Sequence, residues 1–271
     1  MRRTAVAIVV ALVIAATLTT GFVLGRNGDD TTSVASEPSS DGRDPALSTP
    51  VPPSARPVPP PEPIQADAAW DGPVGTMRRT GGDEVALTFD DGPDPAWTPK
   101  VLAKLADFGV HATFCVIGKE AKAHPDLIRD IVDAGHTLCN HSWKHDLDLG
   151  KKSAAKIRDD LLRTNEAIHE AVPEVPIGYY RQPGGNWNER IVAASLDLGM
   201  VPVHWTVDPS DWDKSVKAAG IEKEVCRATT AGSIVLMHDG GGDRSRTFSA
   251  LNPILTDLTA RFTLIPLPQP L

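Results

Sequence analysis

Paired thiol motifs are missing from this sequence, because its three cysteines, Cys115, Cys139 and Cys226, form no CxxC pair. A zinc site built from several thiolates is therefore not expected. Long basic runs are missing as well, and the net charge is −8. This balance argues against nucleic acid as the main partner and is compatible with a neutral or sugar-like substrate. No repeat of solenoid period is present either.

The N-terminal quarter differs in composition from the rest of the chain. Two arginines precede an uncharged apolar run, residues 5–24, which has about the ~20 residues that span a bilayer as a helix. No clean A-x-A cleavage site closes this run. It predicts a membrane anchor over residues 1–25, with a cleaved signal peptide as the alternative. Either one places the remainder outside the cytoplasm, anchored at the cell surface or secreted.

Two further regions follow. Residues 26–75 are rich in Pro, Ser, Thr and Asp and poor in large apolar side chains, which predicts a disordered linker. Residues 76–271 alternate between strand-like and helix-like patterns, which predicts the folded domain.

Strand and helix patterns alternate about seven times in this domain. The predicted strands cover residues 85–89, 111–117, 137–140, 179–181, 201–207, 233–237 and 262–265. The predicted helices cover residues 98–108, 119–134, 153–171, 188–198 and 216–228. Ser153 and Asn188 are the expected N-terminal caps of the third and fourth of these helices. A last predicted helix contains Pro253 and is therefore either kinked or starts late. This alternation predicts a parallel sheet wrapped by helices. We expect an irregular (β/α)7 barrel, with an open doubly wound sheet as the alternative.

Ionisable side chains follow the predicted strands at their carboxyl ends, the edge where parallel α/β folds place their chemistry. Asp90 and Asp91 follow the first strand, although Asp-Asp-Gly alone is also typical of a turn. The later strands are followed by His141 and His145, Arg181 to Gly185, Asp208, Asp211 and Trp212, and His238 and Asp239.

The two histidines after the third strand are candidate metal ligands. His141 and His145 are four residues apart, so one helical turn would align them on one face. Two imidazoles and one carboxylate bind zinc and leave a position open for water. A lone HxxxH also occurs among surface or core histidines. Asn140 and Ser142 favour the ligand interpretation, because a polar strand end is hard to explain by packing.

Five short motifs occur in order over roughly residues 83–265: TFDDGP, HSWKH, RQPGG, DPSDW and LMH. With these motifs the chain resembles the NodB-type polysaccharide deacetylases, carbohydrate esterase family 4. The third motif departs from the family at Gly184, where many members carry an aromatic residue. This departure affects substrate choice more than chemistry.

The resemblance implies a role for each motif residue. Asp91, His141 and His145 would hold a divalent metal ion, zinc in the first place, with cobalt or nickel as alternatives. Asp90 would be the general base on a water molecule, and Arg181 would orient it.

The remaining motifs would complete the site. His238 would protonate the leaving amine, with Asp211 holding its ring. The N–H of Gly184 would help to stabilise the oxyanion. Trp212 and Leu236 would form an apolar slot for the acetate methyl group, although plain core residues would look the same.

The resemblance thus implies a metal-dependent deacetylase of acetylated polysaccharide. A monomer is expected, and the charge balance predicts no nucleic-acid partner. An outward-facing domain makes the N-acetylglucosamine of peptidoglycan the first expected substrate, followed by chitin or its oligomers and by acetylxylan. The alternatives from other classes are a catalytically inactive glycan-binding module and a structural linker protein in the cell wall.

Residues outside the motifs carry three further expectations. Cys115 and Cys139 lie on neighbouring predicted strands and form a disulfide or remain two buried thiols facing different sides. The run of glycines at 240–242 is expected to be a flexible rim of the site. The other histidines are expected to be structural or superficial: His111, His124, His136, His169 and His204.

Overall fold

A computed structural model describes residues 69–268, so the predicted anchor and most of the linker lie outside the described residues. Between residues 69 and 268 no helix is both long enough and apolar enough to cross a bilayer. The strands of this part are β1 Val85–Asp90, β2 Thr113–Val116, β3 Thr137–Asn140, β4 Tyr179–Tyr180, β5 Val201–Pro202, β6 Ile234–His238 and β7 Leu264–Ile265. Its helices are α1 Thr98–Asp107, α2 Gly118–Ala123, α3 Pro125–Asp133, α4 Ala154–Ala171, α5 Glu189–Asp197, α6 Ala218–Ala228 and α7 Ser245–Arg261.

All paired strands are parallel, and they form one sheet in the order β5-β4-β3-β2-β1-β6, with β7 beside β1. The sheet curls into a half-barrel. Its two ends approach through the segment after β5, where Val207 forms a single parallel bridge with Val235 of β6. The predicted parallel α/β sheet with seven strands is confirmed.

Strand β1 pairs with β2, β6 and β7 and is buried along its whole length. Val85, Leu87 and Phe89 alternate into the larger core cluster between the sheet and the helices. Ala86 belongs to a second cluster with the side chains of Tyr179 and other residues on the opposite face. Burial on both faces explains why the strand is mostly apolar, with Thr88 as its one polar residue before Asp90 at the end.

The pairing register of β1 with its neighbouring strands brings their polar ends together. Asp90 at the end of β1 is paired with Cys115 of β2 on one side and with His238 of β6 on the other. The two residues that the sequence motifs assign to base and acid are therefore neighbours across adjacent strands.

Two predicted helices differ from the structure. The predicted helix over residues 119–134 is two helices, α2 and α3, separated at His124 (φ −131°, ψ 58°). Pro125 starts α3, because proline lacks an N–H and disfavours helical geometry at the residue before it. The last helix does not start late: α7 runs from Ser245 through Pro253. Buried residues on both sides of the proline, including Leu251 and Ile254, hold it against the core.

The predicted fifth strand is also shorter than expected. After β5 the chain changes partners, so that Val203 bridges to Met77 and Val207 bridges to Val235. The helix caps at Ser153 and Asn188 are confirmed, since their side chains accept hydrogen bonds from the N–H groups of Lys156 and Ile191.

The two strand cysteines form a disulfide, which confirms that prediction and makes the alternative of two separate thiols wrong. Cys115 of β2 and Cys139 of β3 are in register on adjacent strands and point into the second core cluster. Cys226 on α6 is a free, half-buried thiol.

The segment just before residue 76 packs against the sheet. Ala69 is fully buried, and its carbonyl accepts a hydrogen bond of 2.8 Å from the N–H of Arg78. These residues cover the second core cluster near the β5 end of the half-barrel.

Candidate active site

Strand β1 places two adjacent carboxylates at the carboxyl edge of the sheet. Asp90 is the last strand residue, and Asp91 adopts a left-handed backbone conformation with φ 74°. The following Gly92-Pro93 bond is cis, at the turn that the sequence predicts. The chain therefore leaves the strand at once, and the two carboxylates have different partners.

Asp90 is paired with a fully buried guanidinium. Arg181 Nη1 donates to Asp90 Oδ1 at 2.8 Å and to Thr88 Oγ1 at 2.7 Å. The other guanidinium nitrogens donate to the backbone carbonyls of Val203 and His204, at 3.4 and 3.2 Å. Breaking a buried pair by removing one partner typically costs about 3–5 kcal/mol. Arg181 thus holds the Asp90 carboxylate in one orientation.

His141 contacts both carboxylates through one ring nitrogen. Its Nδ1 lies 2.8 Å from the carbonyl oxygen of Arg181, which can only accept, so Nδ1 carries the hydrogen. Its Nε2 lies 3.6 Å from Asp90 Oδ2 and 3.5 Å from Asp91 Oδ1. This tautomer leaves the lone pair of Nε2 facing the carboxylates, as a metal ligand requires.

A turn, not a helix, brings His145 next to His141, so the predicted helical alignment is wrong. Ser142 and His145 have positive φ angles of 66° and 59°. The Asn140 carboxamide accepts from Ser142 N–H at 2.9 Å, and Ser142 Oγ accepts from His145 N–H at 3.1 Å. His145 Nε2 then lies 3.4 Å from Asp91 Oδ1. The polar residues beside the histidines are the framework of this turn.

The residues present fit a divalent cation. The donor atoms of Asp91, His141 and His145 all lie within 4.8 Å of one another. Asp91 Oδ1 is buried and has no hydrogen-bond partner between residues 69 and 268. A buried carboxylate oxygen without a partner is costly, and a cation at this point would satisfy it.

The local charges at Asp91 and His145 agree with this assignment, whereas at His141 burial lowers the pKa but the carboxylates of Asp90 and Asp91 outweigh it and raise it. Burial raises the pKa of Asp91, but contact with His141 and the nearby imidazoles outweighs it and brings this pKa well below its usual value. Burial and the neighbouring His141 lower the pKa of His145. Both groups are therefore held in the deprotonated form that binds metal.

A His–Asp pair faces the metal ligands from β6. Asp211 Oδ1 lies 2.6 Å from His238 Nδ1, and Asp211 Oδ2 accepts from His238 N–H at 3.0 Å and from Thr247 Oγ1 at 2.8 Å. Burial by itself lowers the pKa of His238. The Asp211 carboxylate acts in the opposite direction and outweighs burial, so the resulting pKa is about 9. At neutral pH His238 is therefore an imidazolium with a fixed orientation.

A cavity of about 440 Å³ joins these groups. Its apolar wall includes Trp212, which is 56% exposed, and Leu236, which is 3% exposed. Gly184 lines it with φ 63°, and Leu147 occupies the space that a side chain at position 184 would enter. The complete lining is Asp90, Asp91, His141, His145, Leu147, Gly184, Asn186, Trp205, Asp208, Trp212, Leu236 and His238. The predicted residues Arg181 and Asp211 lie behind this surface.

Sequence reasoning missed Arg244, which is 6% exposed. Its Nη2 lies 3.8 Å from Asp91 Oδ2, and its Nε donates to the carbonyl of Gly240 at 2.5 Å. No motif contains this residue, and its only sequence signal is its position just after the glycine run.

Asp239 is a second buried group that the motifs do not explain. Its Oδ2 accepts a hydrogen bond of 2.5 Å from Thr98 Oγ1, and burial raises its pKa to about 7. Gly240 is buried as well, and a Cβ there would overlap the backbone of Asp91. This glycine therefore serves close packing against the metal ligand, which differs from the expected flexible rim.

Among the other histidines, His204 packs behind the wall of this cavity. Its Nδ1 accepts from Trp187 Nε1 at 3.1 Å, and its ring lies 4.0 Å from that of Trp205, which lines the cavity. It supports the cavity wall and contacts no metal ligand.

Known proteins share this sequence pattern and fold. A family model described as "Polysaccharide deacetylase" matches residues 77–203. The chitooligosaccharide deacetylase of Sinorhizobium fredii is 39% identical over 201 residues, covering 70% of this chain and 93% of that protein. A peptidoglycan-N-acetylglucosamine deacetylase of Bacillus cereus is 36% identical, covering 64% of this chain and 81% of that protein.

A solved structure has the same fold. The wild-type CE4 family pseudoenzyme from Bacillus anthracis superposes with a TM-score of 0.65 and 29% identity, covering 72% of this chain and 68% of that one. Proteins of this fold thus include both deacetylases and a pseudoenzyme, and the site residues must decide between the two.

Proposed function

Because the chain belongs to the polysaccharide deacetylase family, we propose that it is an active, metal-dependent hydrolase. Its proposed reaction is removal of the acetyl group from N-acetylglucosamine units of peptidoglycan. The observation that carries this proposal is a single cavity with complementary groups on its two sides. One side has the buried Asp90–Arg181 pair and a possible metal site with three donor atoms. The other side has the imidazolium of His238.

A metal ion held by Asp91, His141 and His145 would supply a positive charge that polarises the acetyl carbonyl and acidifies a water molecule. Zinc suits this ligand set of two imidazoles and one carboxylate, with cobalt and nickel as alternatives.

Asp90 accepts the proton of the attacking water. Its Oδ1 is bound by Arg181 and its Oδ2 lies in the cavity 3.6 Å from His141 Nε2, so only Oδ2 is placed to act as base.

His238 donates a proton to the leaving amine. Its Nδ1 is tied to Asp211, so Nε2–H is the proton directed to the substrate. An amide nitrogen leaves only when protonated, which explains why an acid that stays charged up to about pH 9 is suited to this position. The N–H of Gly184 is proposed to stabilise the oxyanion, and Trp212 and Leu236 to hold the acetate methyl group.

Peptidoglycan is the proposed substrate because the N-terminal sequence predicts a domain at the outer face of a membrane. The Cys115–Cys139 disulfide supports an oxidising compartment. We propose a membrane-anchored or secreted monomer whose linker, predicted over residues 26–75, lets the domain reach the wall, although the end of this range, residues 69–75, packs against the domain. Chitooligosaccharide is the second candidate, since the relative from Sinorhizobium fredii carries that name, and acetylxylan is the third.

A direct test measures acetate released by the full-length, metal-loaded protein from peptidoglycan, chitooligosaccharides and acetylxylan. We expect the highest kcat/KM on peptidoglycan and loss of release after chelation. Release from none of them would show that the chain is a glycan-binding pseudoenzyme despite its intact site.

A further inference from the structure

The glycine run after β6 packs directly on Asp91, one of the three candidate metal ligands. A Cβ at Gly240 would overlap the backbone of Asp91, and a Cβ at Gly241 would lie 2.5 Å from Asp91 Oδ2. Gly241 also has a φ of 74°, a left-handed value that favours glycine. A loop with a side chain at either position could not come so close to this carboxylate.

Arg244, at the end of the same loop, reaches the same carboxylate oxygen. Its Nη2 lies 3.8 Å from Asp91 Oδ2. No other lysine or arginine between residues 69 and 268 has a side-chain nitrogen within 4.0 Å of that carboxylate. Because Arg244 is only 6% exposed, its guanidinium has little room to move away from Asp91.

Backbone contacts hold the guanidinium in this position. Arg244 Nε donates to the carbonyl of Gly240 at 2.5 Å, and Nη1 lies 3.5 Å from the carbonyl oxygen of Asp211. The main chain of Arg244 is held as well, since its carbonyl accepts from the N–H of Phe248 at 2.9 Å at the start of α7. The planar fork of donors therefore lies between two loops and has one orientation.

The two oxygens of the Asp91 carboxylate thus have different surroundings. Oδ2 lies against Gly241 and Arg244. Oδ1 lies 3.5 Å from His141 Nε2 and 3.4 Å from His145 Nε2, and it is the buried oxygen that has no hydrogen-bond partner among the described residues. A side chain that is already held in its bound orientation loses less freedom when a ligand binds.

We propose that Arg244 is a positioning residue for the metal ligand Asp91: by holding Oδ2 it directs Oδ1 towards the two histidines. This inference rests on the proposed function, in which Asp91 and the histidines bind a cation. Arg244 has no hydrogen bond or salt bridge with Asp90 or His238 in the described part of the chain. Its loss should therefore act mainly on metal affinity.

The test measures the affinity of the full-length, metal-free protein for zinc and for cobalt, by competition with a chromophoric chelator and without any substrate. Arg244→Gln removes the guanidinium. Arg246→Gln is the matched control, because Arg246 lies two residues along and donates to the backbone carbonyls of Lys214 and Val216 without contacting Asp91. Unfolding of each metal-free variant in denaturant reports separately on the fold.

A pair of glycine variants tests the same contact without changing any charge. Gly241→Ala places a Cβ against Asp91 Oδ2, whereas nothing lies within 4 Å of a Cβ at Gly242. Both glycines have positive φ angles, 74° and 141°, so alanine strains the backbone at either position. The comparison of Gly241→Ala with Gly242→Ala therefore separates a displaced carboxylate from a strained loop.

We expect Arg244→Gln and Gly241→Ala to bind zinc and cobalt about tenfold more weakly, since changes to the partners of metal ligands typically cost 10–100-fold in affinity or activity. Arg246→Gln and Gly242→Ala should bind like the wild type. The loss of acetate release in Arg244→Gln should be large at limiting metal and smaller at saturating metal.

Metal affinity of Arg244→Gln equal to or higher than that of the wild type would overturn the proposal, even if this variant unfolds more easily. Equal losses in the two glycine variants would overturn it as well, and this pair decides if Arg244→Gln does not fold. A wild type that binds metal but releases no acetate would refute the proposed function alone, because the affinity comparison still decides on Arg244. A wild type that binds no metal would refute both.

Discussion

Two histidines on opposite sides of the candidate catalytic cavity, His145 and His238, have pKa values shifted in opposite directions. On the β3 side, burial and the neighbouring imidazole lower the pKa of His145, so that the ring is a neutral ligand. On the β6 side, the Asp211 carboxylate raises the pKa of His238 to about 9, so that the ring is a proton donor. His238 is the more deeply buried ring, with 9% of its side chain exposed against 34% for His145, yet its pKa is the higher one, so burial alone does not decide the role. The difference comes from the nearest charged partner and from which ring nitrogen that partner occupies.

The largest effect is expected from breaking the metal side. His141→Ala removes a candidate ligand and one of the two imidazole contacts of the Asp91 carboxylate. We expect loss of most bound metal, measured by atomic absorption after dialysis, together with loss of acetate release. Full metal content with normal turnover in this variant would disprove the ligand assignment.

Removing the proposed base, Asp90, or the proposed acid, His238, should strongly reduce acetate release without affecting metal binding. Asp90→Asn and His238→Ala leave all three ligands in place, so we expect normal metal content and acetate release lower by about 10²–10⁴-fold. His204→Ala is a suitable control, because His204 supports the cavity wall without contacting a ligand. Near-normal rates for Asp90→Asn would refute its role as base.

The pH profile should reveal the acid side. The acid form of His238 is present below a pKa of about 9 and is lost as pH rises through that value, so activity should fall there. In Asp211→Asn the carboxylate that raises this pKa is gone. We expect the alkaline limb of log kcat/KM to move down towards the ordinary histidine value, near 6.5. An unmoved alkaline limb would mean that another group titrates there.

The metal content of the Asp211→Asn variant should not change, in contrast to its pH profile. Asp211 contacts no metal ligand among the described hydrogen bonds and salt bridges, so Asp211→Asn should bind metal as the wild type does. Metal loss in this variant would mean that the two sides are not independent.

The smallest effect on activity is expected from the disulfide. It closes a loop of 24 residues between two adjacent core strands, and such a crosslink typically contributes about 2–4 kcal/mol to the free energy of unfolding. A Cys115→Ala/Cys139→Ala double variant should unfold at lower denaturant concentration. Its KM and kcat at 25 °C should match the wild type, since neither cysteine lines the cavity. Unchanged stability would show that the bridge does not form in solution.

The sequence by itself was sufficient to predict the parallel α/β alternation, the helix caps at Ser153 and Asn188, and the motif residues that line or support the cavity. These features are local: apolar period, capping side chains and short motifs are all read within a few residues. The strand pairing of Asp90 with His238, across 148 residues, follows from sheet order and not from any local pattern.

Only the tertiary structure decided how the site is held. The turn at His141–His145 depends on the Asn140 side chain and on two left-handed residues, whereas the spacing alone favoured a helix. The break at His124 is local in origin, since Pro125 follows it, but the unbroken helix through Pro253 depends on core packing. Arg244 belongs to no motif, and its importance appears only when the fold brings it within 3.8 Å of Asp91. A charge that acts across the fold, on a residue 153 positions away, leaves no periodic or spaced signal in the chain.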